Sequence, residues 1–363
     1  MKRKKVLCAL SGGVDSSVVA ALLKKQGYEV IGITFKLFCY AKNKQQENTC
    51  CSLEAIESAR QVCQKLKISH YLIDVSKKFE KEIIQNFINE YLSGRTPNPC
   101  VRCNYLIKFP MLINYAKKLG IDFVATGHYV RKREIKNRKS KILSYKLLKG
   151  IDKNKDQSYF LWGLTQKELK YTLFPIGDYK KAEVRNLAKK FGLPSAERKE
   201  SQEICFIEDD YRRFIKSQIV NNKLFTPGPI LNIQGKKIGV HRGLLSYTIG
   251  QRKGLGGGQK KPIFVIKIDI KNNTLIVGEE KNLYHSCCKL KKVNFIRKEP
   301  NLPLKVKTKI RYNTKAQDSV LIKKRGQFII EFKQSQRAIT PGQSAVFYQR
   351  DELIGGGIID SVL

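Results

Sequence analysis

Cys103, in the run TPNPCVRCN, and Cys205, in KESQEICFI, are the residues of this 363-residue chain best equipped for covalent chemistry. A thiolate is a strong nucleophile near neutral pH once its surroundings lower its proton affinity. Both lie downstream of SGGVDSS, Ser11 to Ser17, whose paired glycines let backbone amides close on an anion. Two thiols below a phosphate loop point to ATP-driven sulfur chemistry. The cysteines stand 102 positions apart, so only the fold can bring them together. Other readings of the same residues stay open. A cysteine flanked by Ile204 and Phe206 also suits a small core position. Cys100-x-x-Cys103 with Cys205 as a third ligand also reads as part of a metal site. Zinc would want a second C-x-x-C pair, which neither Cys50-Cys51 nor Cys287-Cys288 supplies, whereas a three-cysteine iron-sulfur cluster stays open. Cys8 and Cys63 fall on apolar faces; they and Cys39, Cys50, Cys51, Cys287 and Cys288 are read as structural or incidental.

The phosphate loop has the context it needs. The apolar run Val6 to Leu10 precedes it, and a helix with apolar positions Val18, Val19, Leu22 and Leu23 follows, with Gly27 just past its end. Gly12 and Gly13 allow close backbone approach, and Ser11, Ser16 and Ser17 add hydroxyl donors. The Gly-Lys-Ser/Thr ending of a Walker loop is absent, so no loop lysine straddles the phosphates, and GxGxxG is absent too. A Gly-Gly turn alone would also fit an ordinary strand-to-helix connection.

Positioning these groups falls to alternating strands and helices. Val6 to Leu10, Val30 to Phe35, Tyr71 to Val75 and Phe123 to Thr126 read as strands of a doubly wound parallel sheet. Amphipathic stretches lie between them: Ala55, Ile56, Ala59, Val62, Cys63 and Leu66, with Ser52 as N-cap; Phe79, Ile83, Phe87 and Tyr91; and Phe109 to Leu119, ending at Gly120. A last helix through Val184, Leu187, Ala188 and Phe191 ends at Gly192. Pro97 and Pro99 read as barring an ordinary helix around Cys103, so a mobile loop is expected there, and Ile204 and Phe206 predict a half-buried strand around Cys205. From Thr226 onward short β-rich runs dominate. The chain therefore divides into an α/β domain over 1–208, a small central linker domain over 209–283 and a C-terminal β-barrel over 284–363.

With 70 Lys and Arg against 31 Asp and Glu, the net charge is +39. Such a surface repels itself unless it meets a polyanion, and nucleic acid is the natural one; compositional drift toward lysine would give the same total. Between Arg131 and Lys149 nine basic residues face one acid, Glu134, and the interleaved Ile142, Leu143, Tyr145, Leu147 and Leu148 predict a hairpin, read as solvated rather than in contact with RNA. The apolar run after MKRKK is shorter than a signal peptide requires, and no stretch reaches a membrane span. A soluble cytoplasmic protein with reduced thiols is expected.

GRTPNPCVRCN, ATGHYVR, KDQSYFLW, ICFI, YTIGQRKGLG and AITPGQSAVFY occur in this order over nearly the whole chain. Together with SGGVDSS, which resembles the loop of pyrophosphate-releasing, substrate-adenylating enzymes, they resemble the tRNA-specific 2-thiouridylase family. The resemblance implies an α/β fold whose first domain is of the adenine nucleotide alpha hydrolase, or PP-loop, type. It implies ATP with Mg²⁺, a tRNA partner whose wobble uridine 34 is adenylated at the C2 oxygen, and a protein that donates persulfide sulfur. It makes Cys205 the persulfide carrier and Cys103 the nucleophile that ends in a disulfide with it. ATP is expected along Ala9, Leu10, Ser11, Gly12, Gly13, Val14, Asp15 and Ser16, with adenine near Phe35 and Gly127, His128 beside the site and Asp15 as a metal contact. For tRNA the matching positions are Asn98, Pro99 and Cys100; Lys155, Asp156 and Gln157; and Arg311 and Tyr312. Arg242, Arg252 and Lys253 are further backbone contacts. The family often carries aspartate where this chain has Cys100, which leaves that residue's role open. Two other readings are a different adenylating ligase or amidotransferase with the same loop, and a tRNA-binding protein without catalysis.

Overall fold

The computed structural model describes residues 3–38, 53–136, 143–198, 204–207, 210–219, 223–256 and 261–363. Ser52, Ile142, Cys39, Cys50 and Cys51 lie outside these residues.

The first half is a parallel sheet wrapped by helices. Strand β1 (Lys5–Ala9) leads through the glycine loop into α1 (Val14–Lys25), followed by β2 (Glu29–Lys36), α2 (Leu53–Leu66) and β3 (His70–Asp74). Two long helical rods follow, each built around a π-turn. The first joins α3 (Ser76–Phe79) to α4 (Gln85–Leu92) and the second joins α5 (Pro99–Cys103) to α6 (Phe109–Lys118). Strand β4 (Phe123–Ala125) returns to the sheet. A hairpin of β5 (Val130–Lys136) and β6 (Leu143–Lys149), then α7 (Gln166–Tyr171), β7 (Thr172–Leu173) and α8 (Lys181–Lys190), complete the region.

The sheet order is β3-β2-β1-β4-β7, all parallel. Val6, Leu7 and Cys8 of β1 are fully buried because both faces are covered, which is why the strand reads as a continuous apolar run rather than an alternating one. The order reverses direction between β1 and β4, so the carboxyl ends of those two strands open a crevice between them.

Helix α9 (Tyr211–Gln218) precedes a four-stranded central sheet of β8 (Gly228–Asn232), β9 (Lys237–His241), β10 (Phe264–Asp269) and β11 (Thr274–Gly278), ordered β10-β11-β8-β9. The rest is β12 (Tyr284–Phe295), β13 (Leu304–Lys309), β14 (Gln317–Lys324), β15 (Gln327–Arg337), β16 (Ser344–Gln349) and β17 (Glu352–Val362). They pair in the order β12-β15-β14-β13-β16-β17, and β17 pairs back to β12, closing the expected barrel.

Three local expectations are corrected. Cys103 lies on a helix, because Pro99 occupies its first position, where no amide hydrogen is needed, and Asn98 caps it by accepting from Val101 N at 3.2 Å. Cys205 lies in a turn closed by Ile207 N donating to Ile204 O at 2.8 Å, not in a strand. The basic hairpin is no solvated appendage: β6 pairs with β17, extending the barrel wall, and Val130 and Leu147 are fully buried.

The parts share cores. Phe79, Phe87 and Cys103 of the first region pack in one cluster with Phe206, Phe214, Leu245 and Val265. Val101, Phe109 and Trp162 share another with Val346, Tyr348 and Leu353 of the barrel.

Candidate active site at the carboxyl ends of β1 and β4

The glycine loop is shaped by its own hydroxyls. Ser16 and Ser17 donate from Oγ to Gly13 O at 3.1 and 2.9 Å, and Ser11 N donates to Ser16 Oγ at 3.2 Å. Gly12 has φ +74°, and a Cβ there would stand 2.2 Å from Ala55 O, so only glycine lets the loop lie against α2. Ser58 Oγ fastens it by donating to Gly12 O at 2.9 Å. The helix it opens has no side-chain cap at Gly13, which leaves its first amides and its positive dipole end turned to an anion.

A cleft of about 240 Å³ lies above this loop. Of the residues expected to hold nucleotide, Ala9, Leu10, Ser11, Asp15, Ser16, Phe35 and Gly127 line it; Gly12, Gly13 and Val14 shape the loop beneath it without lining it. Ile33, Leu37, Lys108, Leu112 and Thr126 also line it and were not anticipated, nor was Gln157, expected at tRNA, whose Oε1 accepts from Tyr129 N at 3.0 Å. The apolar walls suit a purine ring, and the glycine loop suits its phosphates. Asp15 Oδ1 accepts from Tyr129 Oη and from the Lys181 ammonium, each at 2.7 Å. Lys181, at the start of α8, is nearly buried, so this loop carboxylate is already neutralised by an ion pair that sequence reading missed.

His128 also lines the cleft. Its Nδ1 shares a 2.9 Å hydrogen bond with Thr126 Oγ1, and its ring lies against Phe109. Burial, aided by the charge of Lys108, pushes its pKa down to about 3, so it is neutral at any working pH.

The two thiols share one extended apolar cluster. Cys103 is buried, Cys205 is half-buried, and both border the apolar cluster that includes Leu37 and Phe35, residues of the cleft wall. All seven described cysteines are thiols. Cys100 is exposed; partial desolvation by the protein around it raises its pKa and Lys108 opposes that rise. Among the described residues no three or more His, Cys, Asp or Glu side chains are set to hold a metal ion, so the three cysteines do not fit a cluster ligand set as arranged.

Apart from Gln157, the positions expected at tRNA from the α/β region and the barrel gather near the start of α5. Asn98 reaches the Tyr159 hydroxyl, which donates to Ser344 O at 3.0 Å, and Pro99 is buried. Tyr312 lies 4.5 Å from the ring of Phe160, within the field of Lys155 and Asp156. Asp156 is turned inward, accepting from Gly150 N, Ser158 N and Ser158 Oγ. Arg311 is half-buried, with Nη2 on Ala338 O and Thr340 Oγ1. Barrel residues brace this region: Gln343 Nε2 donates to Thr96 O and Pro97 O, and Arg95 donates to Ile359 O and Asp360 O. Arg242 and Lys253 are exposed, and Arg252 lies in the same central region.

A crevice at the strand-order reversal and a glycine loop with uncapped helix amides define a nucleotide-binding α/β enzyme carrying two β modules. The "tRNA methyl transferase HUP domain" profile matches residues 4–209, the "tRNA methyl transferase PRC-barrel domain" residues 212–279, and the "Aminomethyltransferase beta-barrel domain" residues 285–359. The chain is 49% identical to tRNA-specific 2-thiouridylase MnmA 1 of Caldanaerobacter subterraneus subsp. tengcongensis, covering 98% of each. It is 44% identical to MnmA of Pelotomaculum thermopropionicum, over 99% of this chain and 98% of that one, and 42% identical to MnmA of Clostridium perfringens over the full length of both. The protein belongs to the MnmA family of tRNA-specific 2-thiouridylases, which are ATP-using sulfurtransferases.

Proposed function

We propose that this protein converts uridine 34 of tRNA to 2-thiouridine. The C2 oxygen attacks the α-phosphorus of ATP; pyrophosphate leaves and the oxygen carries AMP. The terminal sulfur of a Cys205 persulfide attacks C2, and AMP departs with the oxygen. The Cys103 thiolate then attacks the inner Cys205 sulfur, breaking the S–S bond to the nucleoside. Two thiols become a disulfide as the sulfane sulfur is reduced to the thiocarbonyl level. A dithiol reductant resets the enzyme, and a persulfide-bearing donor protein reloads Cys205.

One observation carries this reading: Cys103 and Cys205, far apart in sequence, share one apolar cluster with residues of the nucleotide cleft wall. That cluster can exclude water, protecting an adenylated uridine from hydrolysis. Mg²⁺ would accompany the ATP phosphates, with Asp15 beside them. Asn98 and Tyr312 would read and stack the extruded base, Cys100, Lys155, Gln157 and Arg311 would line its approach, and Asp156 with Pro99 would hold that surface in shape. The reaction would take place in the cytoplasm, where tRNA and reductant meet. Nucleoside mass spectrometry of tRNA incubated with protein, ATP, a persulfide-bearing donor protein and a dithiol reductant tests it. Wild type is expected to form 2-thiouridine, and Cys103→Ser and Cys205→Ser none, with tRNA affinity within about threefold of wild type. Thiolation retained in either variant would refute the role given to that thiol.

A further inference from the structure

The glycine loop contains no lysine, and the charge of Asp15 is offset by Lys181, yet transfer at the α-phosphorus builds negative charge that needs a cation. Among the described residues lining the cleft, Lys108 is the sole cation near neutral pH, since His128 is neutral there. Resting on the adenylation reading, we propose that Lys108 is a catalytic residue: its ammonium contacts the α-phosphoryl oxygens and stabilises them as pyrophosphate departs.

Its place in the fold supports this assignment. Lys108 closes the π-turn Asn104–Lys108, between the helix bearing Cys100 and Cys103 and the helix beginning at Phe109. Pro110 gives that turn its cause, because proline cannot donate to the preceding turn and its ring crowds the carbonyl there. The wider turn sets a lysine on the cleft wall five residues after Cys103. Its charge is felt on two sides, by His128 inside the cleft and by the exposed Cys100. Lys108 thus stands between the nucleotide cleft and the face where the uridine would enter, where the C2 oxygen must meet the α-phosphorus.

The test is tRNA-dependent pyrophosphate release from ATP by full-length wild type, Lys108→Met and Lys108→Arg. Wild type should release pyrophosphate, Lys108→Met should lose about a hundredfold in kcat with tRNA affinity within threefold, and Lys108→Arg should regain at least tenfold over Lys108→Met. Thermal melting accompanies each variant, and Lys108→Gln replaces Lys108→Met should the latter not fold. A kcat for Lys108→Met within threefold of wild type overturns the assignment to Lys108 alone. So does a Lys108→Arg variant as slow as Lys108→Met when both melt like wild type. Wild type that releases no pyrophosphate with unmodified tRNA overturns the adenylation reading and this inference with it.

Discussion

At the scale of single residues, the chemistry divides between groups whose type announces them and groups whose place does. SGGVDSS, Cys103 and Cys205 stood out only with the motifs around them, since a glycine pair also fits an ordinary strand-to-helix turn and a flanked thiol also fits a core position; the loop does open α1 beneath the cleft. Lys108 was not, since one lysine among 70 Lys and Arg carries no signal until the fold turns it to a cleft. Pro110, inside an otherwise helical pattern, was the available clue to an irregular turn. Lys181 was equally hidden, because its partner Asp15 lies far upstream. His128 gives a pH prediction. Its folded pKa, about 3, is below the unfolded value, so its contribution to stability is present above about pH 6.5 and is lost as pH falls toward 3. Over pH 6.5 to 5, before most carboxylates titrate, the loss approaches about 1.4 kcal/mol per pH unit. Burial lowers the pKa of His70 as well and adds to the slope. Urea melts across this window should be steeper for wild type than for His128→Gln; equal slopes would mean that His128 does not stay neutral on folding.

Secondary-structure elements show why some segments read correctly and others did not. Strands β1 and β2 were visible as apolar runs because helices cover both sheet faces. The segment at Cys103 was misread because proline breaks helices only in their interiors, and Pro99 stands at a first position. The hairpin of β5 and β6 was recognised as a hairpin, but its docking on β17 was not, since that pairing joins Leu148 to Glu352 across most of the chain. The motif AITPGQSAVFY gains its meaning at this scale. Gly342, at φ +94°, lets the barrel approach Thr96 so closely that a Cβ would stand 2.8 Å from its carbonyl oxygen. Gly342→Ala should therefore cost about 1–3 kcal/mol in stability and slow thiolation by shifting the cap of α5, as denaturant melts and nucleoside analysis would record. An alanine variant as stable and active as wild type would mean that the barrel does not hold that loop.

For the whole molecule, the shared cores argue for one cooperative unit. Because the cluster around Phe87 and Phe206 joins the first and central regions, and the cluster around Trp162 and Tyr348 joins the first region to the barrel, calorimetry should show a single unfolding transition. Resolved separate transitions would mean that these contacts are weak. The charge of +39 belongs to this scale too. tRNA affinity should fall roughly linearly on a log-log plot against salt, and a flat dependence would show that the basic excess does not serve RNA binding. The central claim is that two distant thiols converge on one reaction beside the nucleotide cleft. Its most direct test is peptide mass spectrometry of enzyme quenched after a single turnover from the Cys205 persulfide, without reductant. The account predicts one Cys103–Cys205 disulfide for each 2-thiouridine formed. Formation of 2-thiouridine with both thiols still unlinked would contradict it.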